Sequence, residues 1–154
     1  MTRYEPAIDL DAVEAIDVHV HIEVDDRGHH SLPGDLVEAA SRYFSADGPR
    51  PDLDSVAAYY RERKMAAVVF TVDAESQLGH APVSSAEIAE GAARNNDVLI
   101  PFGSVDPRRL DALDRVRRLI DVSPLAQFSE ASPGSRRCVS GSVLRVPRPV
   151  KSRQ

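Results

Sequence analysis

Three short apolar runs govern what this chain can fold into. They are Ala15-Ile16-Asp17-Val18-His19-Val20-His21-Ile22, Ala66-Ala67-Val68-Val69-Phe70-Thr71-Val72 and Val98-Leu99-Ile100-Pro101-Phe102-Gly103-Ser104-Val105. Each is rich in β-branched residues and too short for an ordinary helix, so each reads as a strand. The second is apolar on both faces, as in a parallel sheet covered on both sides. Pro101 removes a ladder donor from the third and weakens that reading.

Helical spacing fills the stretches between these runs. Residues 35–44 place Leu36, Val37, Ala39, Ala40, Tyr43 and Phe44 at helical positions, and Asp47-Gly48-Pro49-Arg50-Pro51 ends them. Asp52 to Ser55 offer an N-cap for a second helix through Val56, Ala57, Tyr59, Tyr60 and Arg63, whose tyrosines read as packing faces. Ser84-Ser85-Ala86-Glu87 matches a capping box, and Asn95-Asn96 is expected to close that helix in a left-handed cap. Asp106-Pro107 is expected to open a last helix, with Asp106 as N-cap and Leu110, Leu113, Val116 and Leu119-Ile120 as its apolar stripe. The resulting order, β-α-α-β-α-β-α, implies βαβ units and a parallel sheet, an α/β fold class.

Chemistry concentrates in the first run. Side chains alternate along a strand, so His19 and His21 project to the same face one pleat apart. Two imidazoles so spaced can chelate one divalent cation. The other reading is structural, with both histidines hydrogen-bonded and no metal. The loop Glu23 to Gly34 is turn-rich and carries His29 and His30, and His80 lies in the loop after the second strand. These three are candidate substrate contacts, against the plainer reading of solvated loop histidines.

Asp17-Val18-His19-Val20-His21 resembles the first strand of the amidohydrolase superfamily, and Pro101-Phe102-Gly103-Ser104-Val105-Asp106-Pro107 resembles the third-strand exit of its amidohydrolase-2 branch. That branch includes metal-dependent decarboxylases and hydrolases related to aminocarboxymuconate semialdehyde decarboxylase. The resemblance covers roughly residues 13 to 120. It implies the opening βα units, about three, of a (β/α)8 TIM barrel. It implies His19 and His21 as ligands of a divalent metal, expected to be Zn2+, and a small carboxylate or carbonyl substrate. The family completes its metal site with a His from a middle strand and an Asp from the last strand, and no residue here matches either. Phosphoesterases of the polymerase-and-histidinol-phosphatase type also open with H-x-H, but Ile22-Glu23-Val24-Asp25-Asp26 departs from their continuation.

At 154 residues the sequence is short of the 200 or so that a (β/α)8 barrel needs. The periodic pattern ends near Ile120. Residues 121–154 are rich in Ser, Arg and Pro, and Asp121 and Glu130 stand there against Arg136, Arg137, Arg145, Arg148, Lys151 and Arg153. Such a composition reads as a disordered tail, non-homologous to the rest; its onset where a fourth barrel strand is due suggests a frameshift, and the rival reading is a genuine basic tail. The expectation is therefore a partial amidohydrolase-type barrel over 1–120 and a tail over 121–154, inactive as this chain. The alternative is a small metal-binding or scaffold domain with structural histidines.

The net charge of −5 offers no basic footprint for nucleic acid or an anionic membrane. No apolar run approaches the ~20 residues of a membrane span, and the N-terminus lacks the apolar core of a signal peptide. Cys138 is the only cysteine, so no intramolecular disulfide can form. These features make a cytoplasmic protein the expectation, acting on a small molecule and compatible with an oligomer.

Overall fold

The computed structural model describes residues 4–46, 48–122, 128–130 and 143–145. Its elements run β1 (Ala15–His21), α1 (Gly34–Phe44), α2 (Leu53–Glu62), β2 (Met65–Phe70), α3 (Glu75–Leu78), α4 (Ser85–Arg94), β3 (Leu99–Pro101), β4 (Gly103–Val105), α5 (Ala112–Val122), β5 (Phe128–Glu130) and β6 (Val143–Arg145). The fold is mixed α/β. One sheet has the order β3-β2-β1-β6, and β4 and β5 form a separate parallel pair. Strands β1, β2 and β3 run parallel, whereas β6 lies antiparallel to β1, so the sheet is open.

The helix layer explains this order. Val56 and Ala57 of α2 and Ile88 and Ala92 of α4 pack with Val69, Ala67, Ile22 and Leu99 into one core, and Ile88, Ala92 and Leu99 are fully buried. The opposite side of β2 is buried as well, through Ala66, Val68 and Phe70. Both faces of the central strand are thus apolar and covered, as a parallel sheet requires.

Local chemistry starts the helices where expected. The Asp52 carboxylate accepts from the Ser55 N–H at 2.8 Å and caps α2. Ser84 and Glu87 form the reciprocal capping box that opens α4. Two expectations are corrected. Asn95 closes α4 at φ −124°, outside the left-handed region, and its N–H bonds back to Ala92. Asp106 does not cap a helix directly after it. Residues 107–111 form turns, α5 starts only at Ala112, and the Asp106 carboxylate is taken up by Ser76 and the Arg108 N–H.

The third apolar run is two strands, divided at Phe102. The Phe102 N–H donates to the Val69 carbonyl at 2.9 Å. Donors alternate along a strand, so the neighbouring position, Pro101, faces the far edge of β3, where its missing N–H costs the ladder nothing. The N-terminal lead-in also contributes to the core. Tyr4 is 7 % exposed and its hydroxyl donates to the Leu99 carbonyl, with a pKa pushed up to about 12 by burial.

Gly91 of α4 lies against Leu53 of α2. A Cβ there would lie 2.5 Å from Leu53 Cδ1 and 3.3 Å from its Cγ. Alanine favours a helix over glycine by about 1 kcal/mol, but Leu53 would have to leave its place, at a cost of about 1–3 kcal/mol. Gly91→Ala is therefore expected to be destabilising by about 1 kcal/mol, measured as a lower urea midpoint.

Of the tail, α5 extends to Val122, and Phe128–Glu130 and Val143–Arg145 are strands. The rest of 121–154, on which the expected disorder falls, lies outside the described residues. Among the described residues no helix is long and apolar enough to cross a membrane.

Candidate functional site: a histidine pair on the first strand

β1 carries an irregularity that decides where its polar side chains go. Asp17 pairs with Ala67, and Val20 pairs with Val69. Three steps along β1 thus answer two along β2, which is a bulge. Ala67 and Val69 both belong to the helix-side core, so Asp17 and Val20 share the helix side. His21 pairs with Phe70 and faces the other way.

On that second face the imidazoles of His19 and His21 are 4.8 Å apart between centroids and tilted by 42°. Both meet the Phe70 ring edge-on, at 5.1 and 4.9 Å. Burial, and then the adjacent His19, lower the pKa of His21, while Glu23 acts weakly in the opposite sense. A neutral imidazole is the form that ligates a cation.

The centroid spacing of the pair is compatible with one shared cation. With metal–nitrogen bonds of about 2.0–2.1 Å and a tetrahedral angle, two imidazole centroids stand about 5 Å apart. The donor set is incomplete. Among the described residues no group of three or more His, Cys, Asp or Glu side chains could hold a metal ion. A catalytic zinc needs three protein ligands and a water.

The other sequence candidates form a second pair. His29 and His80 stack at 5.3 Å and 15°. His29 Nε2 bonds the Ala81 carbonyl at 2.8 Å, and His80 Nε2 bonds the His30 carbonyl at 2.7 Å. Each ring ties its own loop to the other, which gives both a clear structural task. His30 Nδ1 is buried without a hydrogen-bond partner among the described residues.

Several polar residues at the strand exits were not singled out by sequence reasoning. The Ser31 hydroxyl meets Thr71 Oγ1 at 3.0 Å and accepts from the Val83 N–H at 3.1 Å. Ser85 and Ser104 are joined through the Ser85 hydroxyl, which accepts from the Ser104 N–H. A cleft of about 460 Å3 opens beside them, lined among others by Thr71, Asp73, Ser84, Ser104, Arg115 and Arg118. His19 and His21 do not line it. Buried serines and threonines carry no periodic signal, so only the fold reveals this polar rim.

None of the family models, curated proteins or solved structures compared with this chain matches it.

Proposed function

We propose that His19 and His21 hold a divalent cation, Zn2+ by the chemistry of two neutral imidazoles, and that the chain represents the opening βα units of an amidohydrolase-2-type metal-dependent hydrolase or decarboxylase. The observation that carries this reading is the pairing of the two imidazoles on one face of β1, with centroids 4.8 Å apart, a separation compatible with one shared cation. The strand order of parallel β1, β2 and β3 with α2 and α4 on one side supports the barrel ancestry. When bound, such a cation polarises a carbonyl and lowers the pKa of a bound water. With two ligands among the described residues, the chain binds the cation without turning over the small carboxylate or carbonyl substrate of the family. β6 runs antiparallel along the edge of β1 that a closed barrel gives to its last parallel strand, in keeping with an inactive form. The single cysteine, Cys138, suits a cytoplasmic setting.

A second reading has its own observation. Both imidazoles pack edge-on against Phe70, which is what structural histidines in a scaffold domain would do. Titration with Co2+ separates the two. One equivalent is expected to bind the wild-type chain with a visible d–d spectrum, and His19→Ala/His21→Ala is expected to bind at least about tenfold more weakly. Equal binding by both proteins would leave the histidines as packing residues.

A further inference from the structure

We propose that Asp17, braced by Tyr60, sets the β1 bulge and thereby aims the His19–His21 pair at the face away from the helices. Asp17 is thus a positioning residue, not a ligand.

Two hydrogen bonds carry the inference. Asp17 Oδ1 accepts from the His19 N–H at 3.0 Å. Between Asp17 and Val20 the register with β2 shifts, so the stretch holding Val18 and His19 leaves the regular ladder. The carboxylate supplies the acceptor that the His19 N–H needs at that point. Asp17 Oδ2 in turn accepts from the Tyr60 hydroxyl at 2.7 Å. Tyr60 stands on α2 and packs on the helix-side core, so the carboxylate is held from a rigid element.

The consequence follows from strand geometry. Strict alternation starting from Asp17 on the helix side would turn His19 and His21 to the helix side too, and Val20 and Ile22 to the other. The bulge reverses this. Val20 and Ile22 pack in the helix-side core, and the histidines meet Phe70. Bulges re-aim side chains in this way beside functional sites.

The inference rests on the cation reading for its purpose, although the geometry can be tested without metal. The full chain is prepared as wild type, Tyr60→Phe, Asp17→Ala, Asp17→Asn and a control, Ser85→Ala, which loses a buried hydroxyl bonded to Ser104. Two signals are read: NOEs between the imidazole and Phe70 ring protons, and affinity for Co2+ alone. Asp17→Ala and Tyr60→Phe are expected to weaken the NOEs and to lower Co2+ affinity about tenfold, the usual scale for a residue behind a ligand. Asp17→Asn keeps an acceptor for the His19 N–H and is expected to restore most of both signals. If Asp17→Ala does not fold, Tyr60→Phe against Asp17→Asn decides. NOEs unchanged in Tyr60→Phe and Asp17→Ala would overturn the proposal, as would an equal loss in Ser85→Ala. A wild-type chain that binds no Co2+ while its NOEs respond as described would remove the cation reading and keep the positioning role.

Discussion

Truncating Ile88 to alanine is expected to lower the unfolding free energy by about 3–4 kcal/mol. Ile88 is fully buried and sits where α4 meets the sheet. The loss combines the transfer of the removed methyl groups with the cavity they leave, and buried isoleucine truncations fall between about 2 and 5 kcal/mol. The upper part of that range applies because Val69, Val83 and Leu99 of the same core are themselves at most 1 % exposed and have little room to move into a hole. Domains of this size are stable by about 5–15 kcal/mol, so a large share of the total is at stake. Urea unfolding should show a lower midpoint with an unchanged slope. Ile88→Val, which leaves a smaller hole, should cost about 1 kcal/mol. Similar costs for the two variants would mean that α4 is not seated on the core as described.

The second large effect concerns Asp106, which is 1 % exposed. Burial by itself would raise its pKa. The hydrogen bonds from Ser76 and from the Arg108 N–H outweigh that and hold it below the ordinary carboxylate range. A carboxyl whose folded pKa lies below its unfolded value adds stability above the unfolded value, near 3.8. That stability is lost as the pH falls through the folded value. Asp106→Asn keeps the shape and removes the charge. It should cost about 2–3 kcal/mol at pH 7, the scale of hydrogen bonds to a charged group that tie α3 to the turn before α5. It should also flatten the fall in stability of the wild type below pH 4. Unfolding curves at pH 7, 5 and 3 for both proteins check this. Parallel pH profiles would show that Asp106 does not drive the acid sensitivity.

Much of the fold could be read from local chemistry. Short apolar runs located the three parallel strands, most clearly β2, where burial on both faces leaves a continuous apolar signature. Asp52 and the Ser84–Glu87 pair located their helix starts, because a cap is a short-range bond between residues near in sequence. The failures share a different cause. Asp106 looks like an N-cap from its neighbours, yet its partner, Ser76, lies thirty residues earlier. Tyr4 stands in a polar lead-in, and only the placement of Leu99 gives its hydroxyl an acceptor.

The histidine pair shows both cases within one strand. That His19 and His21 share a face was legible from their spacing. Which face they share was not. The sequence of β1 contains no mark of the extra residue, since a bulge exists only relative to the partner strand. Tyr60 read as a packing residue, and it does pack, but its hydroxyl also reaches Asp17.

Pro101 bears on how copies of this protein meet one another. A strand at the margin of a sheet templates a strand from another molecule when its outward donors and acceptors form an unbroken row. On β3 the outward position between Ile100 and Phe102 carries a pyrrolidine ring in place of an N–H. That ring is itself fully buried, so the protein's own chain covers the position and a neighbouring copy does not reach it. The margin of β3 is thus closed to cross-β growth at Pro101 twice over, by the missing donor and by the cover over the ring.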